Sequence, residues 1–248
     1  RQSCTCGTLT PFGQEVAKEF ALSYKKSDYH QILKGQTKRL QALLRESDED
    51  QFHVYYGPSG SDLMYLPLLF QAILSPDNSI INIVSCPEEL GSGSKSAAKG
   101  EYYSEWNQFG EGIPIAEKVS ELIESDVHFL PARAIDGSVL DRKKAIRELI
   151  NQYPNRPIIG NLVFGSKSGI KDDLDIIDEF TDGVMWVVDM CQFRTDRKLI
   201  HNLINKGVMV MVTGSKFYQA PPFCGALLVP KAVSYTHLRA HRRRGISY

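Results

Sequence analysis

Apolar residues recur at helical spacing between Gln14 and Leu44 (Val16, Phe20, then Ile32, Leu33, Leu40, Leu43 and Leu44), with a break near Ser27 and Asp28, which predicts two helices. The acidic run from Glu46 to Asp50 reads as a solvated connector. Beyond it the pattern changes period. Phe52 to Tyr56 forms a short strand pattern ending in Gly57-Pro58-Ser59-Gly60-Ser61, and a helix is expected from Asp62 to Leu74. Ile80 to Val84 is a β-branched apolar run of the kind buried on both faces, followed by a Gly/Ser-rich stretch from Gly91 to Ser94. Further strand patterns lie at Val127 to Leu130, Pro157 to Phe164, Gly183 to Asp189 and Val208 to Thr213. Helical patterns lie from Asp141 to Tyr153, near Asp172 to Phe180 and around Arg197 to Asn205.

Strands alternating with helices of this length build βαβ units, so the expected fold class is α/β: a three-layer α/β/α sandwich around a mainly parallel sheet. Ligands of such sheets bind at the carboxyl ends of the strands. Polar residues directly after apolar strands are therefore the candidates for chemistry, and three such ends stand out.

At the first, the turn Ser59-Gly60-Ser61 leads into a helix, where backbone N–H groups and the two hydroxyls suit a phosphate; helix capping accounts for the same residues. At the second, Asp189 follows Trp186-Val187-Val188. A carboxylate there can hold a proton on a cofactor ring nitrogen, with Gln192 donating to a ring oxygen; an N-cap for the next helix is the alternative. At the third, Lys216 follows Val208 to Val212 and Thr213-Gly214-Ser215. A partly desolvated lysine is a nucleophilic amine suited to Schiff base formation, although a lysine reaching from a strand end to solvent has the same pattern.

The order and spacing of these three ends resemble the fold type I enzymes that depend on pyridoxal 5′-phosphate (PLP), in particular the class V aminotransferase group that includes the cysteine desulfurases. The likeness covers roughly residues 52 to 230. Asp189-Met190-Cys191-Gln192 is similar to that group's D-x-x-Q, and Thr213-Gly214-Ser215-Lys216 to its S-x-H-K, with Ser215 in the histidine's place. The resemblance implies that Lys216 carries PLP as a Schiff base, Asp189 meets the ring nitrogen, and Ser59, Gly60, Ser61, Gln192, Thr213 and Ser215 bind the cofactor. It further implies an amino-acid substrate, aminotransferase-like or lyase chemistry, and a homodimer. The chain departs from the group where a ring-stacking histidine is usual, offering Leu90 after Glu88-Glu89. It departs again at Gly165 to Gly169, where Ser166 or Lys167 falls near the substrate. Arg194 is a candidate anion contact, or a surface arginine at a helix start. Two other readings stay open: an α/β enzyme that binds phosphate or nucleotide non-covalently through the Gly57 to Ser61 turn, and a non-catalytic PLP-fold binding protein.

Composition changes the picture at the ends. The residues SYTHLRAH from Ser234 resemble a translated sequencing adapter, so 234–248 is set aside as non-native. Without the four arginines there, 25 basic residues face 29 acidic ones, a net charge of about −4, and the cluster that suggested nucleic acid disappears. The remainder divides into a helical segment over 1–50 and a cofactor-binding large domain over 51–233. With Arg1 as its first residue, and with the resemblance implying a further C-terminal small domain, the chain is expected to be a fragment. No apolar run reaches membrane-spanning length and no signal peptide is recognisable, so a cytoplasmic protein is expected. The five cysteines read as free thiols: Cys4 and Cys6 lack partners for a metal site, and Cys191 and Cys224 sit among apolar residues.

Overall fold

The computed structural model describes residues 9–24, 28–46, 52–107, 110–221, 224–231 and 233. The Cys4–Cys6 pair, most of the acidic connector and the set-aside tail lie outside them. Two helices, α1 (Pro11–Tyr24) and α2 (Tyr29–Leu44), come first, and the side chain of Asp28 caps the second through the N–H of His30. Seven strands follow: β1 (Phe52–Gly57), β2 (Ile80–Ser85), β3 (Ser125–Leu130), β4 (Ile158–Val163), β5 (Val184–Asp189), β6 (Met209–Thr213) and β7 (Gly225–Pro230). They form one sheet in the order β1-β7-β6-β5-β4-β2-β3, in which only β7 runs against the rest. The expected mainly parallel α/β fold is present.

Strand side chains alternate between two cores, as a pleated sheet covered on both faces requires. Ile81, Ile83, Trp186, Val188, Val210 and Val212 pack with residues of α2, α6 (Arg142–Gln152), α7 (Ile176–Glu179) and α8 (Arg197–Asn205). Their neighbours Ile80, Val84, Val187, Met209 and Met211 pack with residues of α3 (Gly60–Leu63), α4 (Tyr65–Leu74) and α5 (Ser94–Ala98). Between β2 and β4 a buried asparagine pair is satisfied internally: Asn161 donates to Asn82 Oδ1 at 2.6 Å and to Ile83 O at 3.2 Å, and Asn82 donates to Ala98 O at 2.7 Å.

Two predicted helices differ from the structure. The one expected from Asp62 to Leu74 is broken at Met64, because Pro67 has no N–H to give an earlier turn; restarting at Tyr65 places the proline in a first turn, where none is needed. The one expected near Asp172 to Phe180 shrinks to the single turn of α7. Asp172 is tied instead to the end of β4, its N–H donating to Val163 O and its carboxylate accepting from Val163 N at 2.8 Å and from Arg142 Nε at 2.7 Å.

Candidate active site

The carboxyl ends of β1, β2, β4, β5 and β6 lie along one edge of the sheet, and β7 starts there. Gly225 pairs with Gly57 on one side and Thr213 on the other, and a Cβ at 225 would stand 2.8 Å from Gly57 O, so only glycine fits between the two turns. Along this edge opens a cavity of about 550 Å³. It is lined by Ser59, Gly60, Ser61, Ser166, Lys167, Asp189, Gln192, Thr213, Ser215 and Lys216, and so brings together every residue singled out from the sequence except Arg194.

Ser59 is the N-cap of α3. Its hydroxyl donates to Asp62 Oδ2 at 2.6 Å and accepts from Asp62 N, and Tyr103 donates to the other oxygen of Asp62 at 2.7 Å. Burial and the hydrogen bond to Asp62 push the Tyr103 phenol up to about 12. Ser61 shares a 2.8 Å hydrogen bond with Ser94, both buried. Gly60 packs on Cys191: a Cβ there would come within 2.7 Å of the sulfur. Burial, followed by the charge of Asp189, holds that thiol well above its ordinary value, so Cys191 serves as a small core residue.

Asp189 ends β5 and is half-buried, with Oδ1 accepting the N–H of Cys191 at 2.7 Å. The helix after it is capped by Asp196, not by Asp189. Three residues after Asp189, Gln192 is buried against the cavity, and its amide has no hydrogen-bond partner among the described residues. Thr213 ends β6 and donates to Cys191 O at 2.8 Å, which joins the β5 and β6 turns. Lys216 follows in a loop closed by Gly214 N to Cys224 O and Ala220 N to Gly214 O. It is half-buried and lines the cavity; its carbonyl accepts from Gln219 N, while its amine makes no hydrogen bond or ion pair with another described residue.

The opposite wall comes from the loops after β2 and β4. Lys167 donates to Leu90 O at 3.1 Å and to Glu88 O at 3.3 Å, and Ser168 donates to both oxygens of Glu89, through its N–H at 3.0 Å and its hydroxyl at 2.8 Å. Burial opposes ionisation of Glu89. The hydrogen bonds from Ser168 and Ser166 and the charge of Lys167 outweigh it and lower the carboxyl below its usual range. Ser166 is buried, and its Oγ accepts from Ile170 N. Arg194 lies elsewhere, in a separate depression with Phe193, Phe217 and Tyr218, its guanidinium 6.0 Å from the centre of the Phe217 ring.

Sequence reasoning did not single out Glu89, Gly91, Ser94 or Tyr103 as site residues. Glu89 and Gly91 to Ser94 follow an apolar strand in a parallel sheet, which is the signal that could have found them. Tyr103 sits in an irregular stretch with no such signal.

Solved aminotransferases and decarboxylases share this fold. The ureidoglycine-glyoxylate aminotransferase of Bacillus subtilis matches 97% of the chain with a TM-score of 0.56 at 15% identity. Tryptophan decarboxylase of Catharanthus roseus, solved with L-tryptophan, matches 94% with a TM-score of 0.56 at 12% identity, and mouse CSAD matches 87% with 0.52 at 18%. The chain spans about half the length of these proteins (54%, 51% and 44%). The resemblance to fold type I enzymes therefore holds for the fold. No protein-family model and no curated protein matches the sequence.

Proposed function

We infer that the chain is the cofactor-binding part of a PLP-dependent enzyme acting on an amino-acid substrate, by aminotransferase-like or lyase chemistry, with Lys216 as the covalent anchor. The observation that carries this reading is the convergence of Asp189, Gln192 and Lys216 with the Ser59–Ser61 turn on one cavity, from strands far apart in sequence. The residues suit the group. Gln192 offers a buried amide with no partner, Lys216 an uncommitted amine, and the cavity has the volume usual for cofactor sites.

When bound, PLP supplies an electron-accepting ring conjugated to the substrate nitrogen. Asp189, anchored by the Cys191 N–H, would hold a proton on the ring nitrogen. Gln192 would orient the ring oxygen. The Lys216 amine, which has no competing partner among the described residues, would hold the cofactor and move a proton at the substrate α-carbon. The phosphate end would lie toward Gly60, Ser61 and Ser215, in a frame fixed by the Ser59 cap and the Thr213 hydrogen bond, while Ser166 and Lys167 would face the substrate from the opposite wall. A homodimer belongs to this reading through the family resemblance.

The test is borohydride reduction of the chain expressed with PLP. The reduced adduct is expected on the Lys216 peptide by mass spectrometry and absent from Lys216→Ala, with turnover of the gene product lowered about a thousandfold. Equal reduction-resistant PLP in both proteins would sink the covalent assignment. Phosphate or nucleotide binding without adduct would favour the non-covalent reading.

A further inference from the structure

Two hydroxyl protons on the strand-end wall of the cavity are committed to other protein groups. That of Ser59 goes to the Asp62 carboxylate, and that of Thr213 to Cys191 O. These side chains can accept, but as they stand they have no proton to offer a phosphate.

The Ser61–Ser94 pair is different. Two hydroxyls carry two protons, the 2.8 Å contact between them uses one, and no other described residue takes the second. Both side chains line the cavity and are buried, Ser61 at 9% exposure and Ser94 at 4%. Gly91 lies over the pair. A Cβ there would stand 3.0 Å from Ser61 Oγ and 3.4 Å from Ser94 Oγ, so the bare glycine keeps both oxygens uncovered.

We propose that Ser94, paired with Ser61 beneath Gly91, is the hydroxyl donor to the phosphate of the cofactor, and that Ser59 and Thr213 are positioning residues. Ser59 fixes the turn by capping α3, and Thr213 ties the β6 turn to the β5 turn. The assignment rests on the PLP reading for its ligand, but its chemistry, a buried shared-proton pair open to an anion, would take any phosphate monoester. The pair acts cooperatively: a proton donated by Ser94 to phosphate leaves its oxygen to accept from Ser61, or the reverse.

The experiment compares the affinity of the chain for PLP with that for pyridoxal, which lacks the phosphate, in wild type, Ser94→Ala, Gly91→Ala and Ser59→Ala. Ser94→Ala is expected to reduce the preference for PLP about tenfold, the scale of one charge-assisted hydrogen bond, and to change pyridoxal affinity by less than about twofold. Gly91→Ala keeps both hydroxyls but crowds them, and reduces the preference in the same direction. Ser59→Ala, which removes the cap of α3, lowers thermal stability and weakens PLP and pyridoxal alike, without the phosphate-specific loss of Ser94→Ala. An unchanged preference in Ser94→Ala, or an equal loss for both ligands, overturns the assignment while leaving Lys216 as anchor. A wild-type chain that binds neither ligand overturns the PLP reading instead. The pair is then tested with inorganic phosphate alone: stabilisation of wild type that is lost in Ser94→Ala supports it, and an equal effect on both, including none, refutes it.

Discussion

The two walls of the cavity are built on different principles. One is made of strand ends: Gly60 against Cys191, Thr213 bonded to Cys191 O, and Gly225 wedged between Gly57 and Thr213. The other is made of two loops, with the Lys167 ammonium on the carbonyls of Glu88 and Leu90 and Ser168 on Glu89. The first wall is held by close backbone packing and buried hydrogen bonds, which do not titrate. The second is held by charged groups open to solvent, which salt and pH weaken. Chemistry that needs fixed geometry belongs on the first wall, and contacts that adapt to a substrate belong on the second.

The sharpest way to break this comparison is through the carboxylate on the rigid wall. Asp189→Ala is expected to lower turnover of the gene product by about a hundredfold or more, while PLP content falls far less. Unchanged turnover would refute the ring-nitrogen role. Next in size is Gly60→Ala, which forces a methyl against the Cys191 sulfur and should cost about 1–3 kcal/mol in urea unfolding, with weaker cofactor binding. A fully stable variant would show that this wall yields as easily as the other.

The smallest effect is expected on the loop wall. Glu89→Gln should cost roughly 0.5–1 kcal/mol after solvent screening, detectable as a small drop in melting temperature. Because folding lowers the Glu89 carboxyl, its contribution is fully present above about pH 4.5, the ordinary glutamate value, and is lost as pH falls through the lowered one. The gap between wild type and Glu89→Gln should therefore be flat from pH 5 to 8 and close in acid; a gap that widens in acid would reverse the sign assigned here.

The same division sets what could be read from the sequence. Asp189, Gln192 and Thr213 to Lys216 were legible because each follows an apolar strand whose period fixes where its end falls, and their offsets resemble a known group. The sheet was legible for the same reason, through β-branched runs such as Ile80 to Val84. The loop wall was not, because Glu89 meets Ser168 through a tertiary contact that no local spacing encodes. Helix breaks were missed where one residue overrode a periodic pattern: Pro67 restarting a helix at Tyr65, and Asp172 drawn into a buried pair with Arg142. Ser94 fell between the two cases, in a Gly/Ser-rich stretch for which no helix was expected, although it begins the short helix α5 beside the cavity.

Strand β7, reversed between β1 and β6, has a consequence for the order of assembly. Among the described residues it is the only strand that β1 pairs with, and the Ser59–Ser61 turn hangs from β1. The first strand of the sheet must therefore wait for the last before it acquires a neighbour, at the entropic cost of closing the segment 57–225 into a loop. Secondary structure around β2 to β6 can form earlier through shorter closures. The cavity matures in the final step, so uptake of its ligand and protection of β1 from hydrogen exchange should rise in a single kinetic phase, and a ligand present during folding would draw that last docking forward by mass action.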